Sequence, residues 1–159
     1  MLRFIFALCV GWLSMSCLID FVAVPIVFRT VSKLYEAANV GIRLFSIFNP
    51  IEFIFSLILI SFAFLALKKR PSKVKKLQLS FAFFLLFIAA SYTFHITPMI
   101  STLSEQKREL DMESEAYVKI EQQHNFYHHL YVKMDSVKVI LLLIMVGLYS
   151  RQLPKGERV

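Results

Sequence analysis

The residues able to do chemistry in this chain are few, and they stand in an apolar setting. Asp20, Glu52, His95, His124, His128, Tyr131, Lys133, Asp135 and Lys138 lie within or beside long hydrophobic runs. His124, His128, Tyr131, Asp135 and Lys138 recur at i, i+4, i+7, i+11 and i+14, the spacing of one helix face. An ionisable group at membrane depth costs about 3 kcal/mol even on the lenient insertion scale, so each calls for a partner. Four readings of the set stay open. Asp20, Glu52 and Asp135 pair with Lys133 and Lys138 and hold helices in register. The same network binds a small solute, an ion or a proton. His124 and His128, joined by His95 and by Asp20 or Glu52, ligate a metal. A haem sits between His95 and His128.

Other chemistry is thinly represented. There is no Gly-x-Ser-x-Gly, no His-Glu-x-x-His and no Gly-rich phosphate loop, so no catalytic residue is assigned and no hydrolytic activity is expected. Ser91, Tyr92 and Thr93 read as helix-packing hydroxyls. Cys9 and Cys17 are separated by roughly 12 Å of helix rise, too far to bridge each other. No Cys-x-x-Cys spacing exists. Beyond the metal and haem alternatives, no cofactor is expected.

The elements that must position these groups are membrane helices. Of 159 residues, 57% are hydrophobic, Phe occurs 16 times, and mean hydropathy is +0.62, too apolar for an ordinary soluble core. A span needs about 20 apolar residues, and four stretches qualify: about 4–28, 47–67, 77–98 and 127–149. The last is the least hydrophobic. Its apolar part, Val139 to Tyr149, rises only about 16 Å, half a bilayer, so the span must include the charged part. The fold class expected is all-α, a four-helix membrane bundle forming a single domain over 1–159. Arg3 and the following apolar run, with Ser14-Met15-Ser16-Cys17, also suggest a cleaved leader. The run continues to Phe28, longer than a signal-peptide core, and favours an uncleaved span.

The net charge of +7 is distributed for topology and not for nucleic acid. Lys68, Lys69, Arg70, Lys73, Lys75 and Lys76 stand between the second and third spans with no acid. Arg151, Lys155 and Arg158 follow the fourth. The other side carries Arg29, Lys33, Arg43 and an acid-rich segment, 99–125. Both termini are therefore expected in the cytoplasm, in the plasma (bacterial inner) membrane. The bilayer is the expected partner, with a homo-oligomer as an option because four helices make a narrow path. Residues 31–45 read as an amphipathic helix at the outer interface or as an extension of a neighbouring span. Thr102 and Glu105 have capping-box spacing and suggest a helix start in the acidic segment, with Leu103, Leu110 and Tyr117 as its apolar stripe. In this topology the intramembrane polar groups gather in the outer half, and the inner half is plain hydrocarbon.

Three stretches carry a resemblance. They are Phe21-Val-Ala-Val-Pro25-Ile-Val-Phe28; Ala37 through Gly41, Arg43, Leu44 and Phe45 to Asn49 and Glu52; and Thr97-Pro98-Met99-Ile100 with Phe126-Tyr127-His128-His129-Leu130. In order and spacing the chain resembles the bacterial relatives of the eukaryotic transmembrane protein 205, a group catalogued as a domain of unknown function. The matching positions include Pro25, Phe28, Gly41, Phe45, Asn49 and Pro98. The fourth helix departs from that pattern at Lys133, Asp135 and Lys138. The resemblance implies the fold and the membrane location but no reaction. The function expected is a small membrane module that binds or passes a solute or ion through its polar cluster. A structural or assembly protein is the alternative, and a metal or haem redox protein stands third.

Overall fold

Hydrophobic runs of this length leave the backbone one economical solution in lipid, internal helical hydrogen bonding. The computed structural model describes residues 1–153, and among them there are helices and short turns but no strand. Helix α1 (Leu2–Leu18) continues through a π-helical turn (Ile19–Ala23) into α2 (Val24–Thr30). Helix α3 is Leu34–Lys69. Helix α4 (Lys73–Ser91) continues through a second π turn (Tyr92–Ile96) into α5 (Thr97–Glu109), and α6 is Glu115–Ser150. The chain thus makes four long rods with short connections, so successive rods run antiparallel.

The turns follow from local chemistry. Lys75 Nζ reaches the carbonyl of Ala66 at 3.1 Å, closing the end of α3, and the Ser72 hydroxyl caps α4 by accepting from Lys75 N at 3.3 Å. Ser114 caps α6 by accepting from Tyr117 N at 3.1 Å. Thr102 and Glu105 do not act as a capping box: they lie inside α5, which already starts at Thr97. Residues 31–45 are not a separate amphipathic helix. From Leu34 onward they are the first turns of α3, and Pro50 sits inside that helix without ending it.

Each π turn precedes a proline, Pro25 in α2 and Pro98 in α5. Proline has no N–H to donate and its ring crowds the preceding turn. Widening that turn is one way to accommodate it. Val24 N–H returns to Ile19 O, and Thr97 N–H to Tyr92 O. The side chains of Asp20, Tyr92 and His95 belong to these widened turns.

Packing closes a four-rod ring: α3 lies on α4, α4 on α6, α6 on α1 and α1 on α3. One half of the core is apolar, with Ile5, Cys9, Leu59, Leu85, Leu142 and Met145 buried together. A second group, Ile88, Tyr92, Ile96 and Tyr131, fills the other half. The outward faces are as apolar as the core, with Phe21, Ile47 and Phe94 each about two-thirds exposed. An apolar exterior of this extent marks a protein solvated by lipid. Three rods, Leu2–Thr30, Leu34–Lys69 and Lys73–Glu109, are long and apolar enough to cross a membrane. The fourth falls outside that set because of its charges, yet Lys138 is 1% exposed and the outward positions Val137, Ile140 and Leu143 are apolar. The basic tail residues Lys155 and Arg158 lie outside the described residues.

Candidate functional site

The interior polar groups come from three helix faces. Along α1 and the π turn that follows it, Trp12, Ser16 and Asp20 repeat at i, i+4 and i+8. On α3, Asn49, Glu52 and Ser56 are all buried, and on α6 so are Tyr131 and Lys138. Glu52 is the point of convergence. Its Oε1 accepts from Trp12 Nε1 at 2.7 Å, from Ser16 Oγ at 3.1 Å and from Lys138 Nζ at 2.8 Å. One carboxylate oxygen therefore ties α1, α3 and α6 together. The other, Oε2, is buried with no hydrogen-bond partner among the described residues.

Lys138 is held from both sides. Its Nζ is 2.8 Å from Glu52 and 2.5 Å from Asp135 Oδ1, and the rings of Phe48 and Tyr92 each lie 5.7 Å from the ammonium. Two charge-assisted contacts and two aromatic faces replace the hydration shell of the cation. Asp20 completes the group beside Asp135, within electrostatic reach of Lys138 and Glu52. Its Oδ2 is buried with no hydrogen-bond partner among the described residues. Among the described residues, the cluster thus sets three carboxyl groups against one ammonium. Charge balance in a low-dielectric interior requires more positive charge than Lys138 supplies.

A second layer adjoins the first. Asn49 donates to Thr97 Oγ1 at 2.7 Å and accepts from the Tyr131 hydroxyl at 3.1 Å. The Tyr92 hydroxyl donates to the Tyr131 carbonyl at 3.2 Å, and the two rings stack with centroids 4.2 Å apart. Asn49 and Thr97 also line a cleft of about 270 Å³ between α3 and the α4–α5 rod, with Arg43 and Ser101 toward its upper end. Polar side chains are therefore continuous from this cleft through Asn49 and Tyr131 to Tyr92, whose ring faces Lys138.

Of the residues singled out by sequence, Asp20, Glu52, Asp135 and Lys138 meet, with Tyr131 one layer away. The others stay apart. Lys133 and His128 are exposed. The imidazole of His128 lies parallel to that of His124, 6.4 Å away. His95 is exposed and sits edge-on to Tyr127 at 5.8 Å. Among the described residues, no three His, Cys, Asp or Glu side chains come together as a metal site. His124 belongs to the α5–α6 hairpin, where Lys107 pairs with Glu121 at 2.8 Å and lies 5.3 Å from the Tyr117 ring. The hydrogen bond to Glu121 raises the affinity of Lys107 for its proton. Burial, with the nearby charges of Lys107 and His128, holds His124 below the ordinary imidazole value.

Trp12, Ser16 and Thr97 were not anticipated as site residues, and Tyr92 was read only as packing. The signal for the first two was present: they share the i, i+4 stripe that leads to Asp20. Of the motif-like positions, Gly41 is buried with the Phe28 ring 4.0 Å from where a Cβ would stand, and Phe45 lies 5.1 Å from the Tyr131 ring. Asn49 joins the polar layer. Pro25 and Pro98 follow the two π turns.

Fold and site together define an all-α membrane protein with a buried charge cluster. The chain belongs to the family described as "Domain of unknown function (DUF4149)", which it matches over residues 7–109. No curated protein and no solved structure matches the chain. The matched segment contains Trp12, Ser16, Asp20, Asn49, Glu52, Tyr92 and Thr97, whereas Asp135 and Lys138 fall beyond it.

Proposed function

We propose that the protein is a plasma-membrane module, with both termini cytoplasmic, that takes up a cation at its buried acid cluster and couples this to passage of a small solute or ion. The observation that carries the reading is the charge balance: Glu52, Asp135 and Asp20 surround a single ammonium. A proton is the simplest cation to reduce the deficit, because it needs no ligand cage. The cluster divides by role. Glu52 with Lys138 is sealed and triply hydrogen-bonded, which suits a fixed clamp. Asp135 is 14% exposed and lies next to Asp20, which suits the exchanging half. A four-helix bundle is a narrow path, so passage across the whole membrane calls for a second copy. The protein has no assigned role toward nucleic acid in this reading. The resemblance to the bacterial relatives of transmembrane protein 205 is consistent with it and adds no reaction.

A purely structural role is the second reading, favoured by the way Glu52 joins three helices. Reconstituted vesicles separate the two. With an imposed pH gradient, wild-type protein should dissipate the gradient faster than the Asp20→Asn/Asp135→Asn variant. Equal rates for wild type, variant and protein-free vesicles would leave only the structural clamp.

A further inference from the structure

The cleft between α3 and the α4–α5 rod has a chemistry distinct from the acid cluster. Arg43 is exposed at its upper end and has no acidic partner among the described residues. Thr97 accepts from Asn49, which leaves its own hydroxyl proton free to donate. Ser101 lies one turn further along the same face and lines the same cleft. Three donors therefore face a common space, while Pro50 and Pro98 make the deeper wall apolar.

The level of the cleft can be placed from the basic ends of the rods. At about 1.5 Å per residue, Arg43 stands roughly 37 Å along α3 from Lys68, and Ser101 roughly 37 Å along its rod from Lys76. A hydrocarbon core of about 30 Å puts Arg43 and Ser101 in the headgroup layer opposite the basic loop. Asn49 and Thr97, about 28–32 Å from the same lysines, stand at the edge of the hydrocarbon. The cleft thus offers a guanidinium and hydroxyls at headgroup height and an apolar wall below.

We propose that this cleft binds the phosphate of an anionic glycerophospholipid. The Arg43 guanidinium contacts the phosphate oxygens, Thr97 and Ser101 donate hydrogen bonds to them, and the start of an acyl chain lies against Pro50 and Pro98. Arg suits phosphate because its planar donors match the oxygens in pairs. The volume of about 270 Å³ fits a phosphate and its glycerol and not a whole lipid, so the remaining chain stays in the bilayer.

The test uses the full-length protein in mixed micelles, with bound lipid counted by native mass spectrometry. Dioleoylphosphatidylglycerol should be retained about tenfold more strongly than dioleoylglycerol, which lacks the phosphate, as expected for a charge-assisted contact. Arg43→Gln should remove that preference and Ser101→Ala should weaken it severalfold. Arg29→Gln, which alters a cation outside the cleft, should leave it intact. The emission of the buried Trp12 reports whether each variant keeps its core. Equal retention of the two lipids by the wild type overturns the proposal, and so does an undiminished preference in Arg43→Gln. Displacement of the lipid by millimolar inorganic phosphate would assign the site to soluble phosphate and overturn the lipid assignment.

Discussion

Lys138→Met removes the cation on which Glu52 and Asp135 converge, at 2.8 and 2.5 Å. Deleting one member of a buried pair costs roughly 3–5 kcal/mol because the remaining charge is stranded. Two carboxylates are stranded here, so the upper part of that range is expected. Glu52→Gln is milder. The amide oxygen can still accept from Trp12 and Ser16, and Lys138 keeps Asp135, so the loss should be about 1–2 kcal/mol. Combining the two changes removes both ends of one ion pair. The double variant should therefore cost less than the sum of the singles by about 2 kcal/mol, the coupling typical of groups in one network. Asn49→Ala supplies an internal scale, since neutral interhelical hydrogen bonds in membranes average only about 0.6 kcal/mol. Unfolding free energies measured by steric trapping in bicelles give all four values. A cost below about 1 kcal/mol for Lys138→Met, against the 3–5 kcal/mol expected of a buried pair, or an additive double variant, would refute the network.

Two further outcomes are expected. Cysteines introduced at Met112 and Pro71, both exposed, report topology: Met112→Cys should label from outside intact cells and Pro71→Cys only after permeabilisation, with the reverse pattern overturning the orientation. The α5–α6 hairpin should be acid-sensitive. Because the folded-state pKa of His124 is lowered from 6.5, its contribution to stability is fully present above that value and is lost as pH falls below it and the opened state takes up the proton. Hydrogen exchange across residues 99–124 should accelerate between pH 7.5 and 5 in the wild type and respond less in His124→Gln. An identical response in the two proteins would remove His124 from the explanation.

The membrane helices were legible because hydropathy is a property of the runs themselves. The inward turn of Tyr131, Asp135 and Lys138 was legible because all three obey helical spacing. The same spacing misled at its outer end. His124 and His128 continue the stripe, but on that part of α6 the neighbouring element is α5, and His128 is exposed. Lys133 was offered as a partner for the acids, yet five residues before Lys138 is about 140° around the helix, which turns it away. The π turns were not legible. Pro25 and Pro98 signalled irregularity, but a proline alone does not say whether a helix kinks, ends or widens. That choice decides where Asp20 and Tyr92 point. Glu52 was picked out as a lone charge, whereas its donors Trp12 and Ser16 looked like ordinary residues of an apolar span.

The central claim is that three carboxyl groups around one ammonium hold an additional proton. Infrared difference spectroscopy of the protein in lipid, stepped from about pH 9 to about pH 6 and so above the range in which exposed carboxyls titrate, observes this directly. The account predicts a protonated-carboxyl C=O band in the wild type that is lost when Asp20 and Asp135 are both changed to Asn. Three fully ionised carboxylates across the whole range, with no such band, would contradict it.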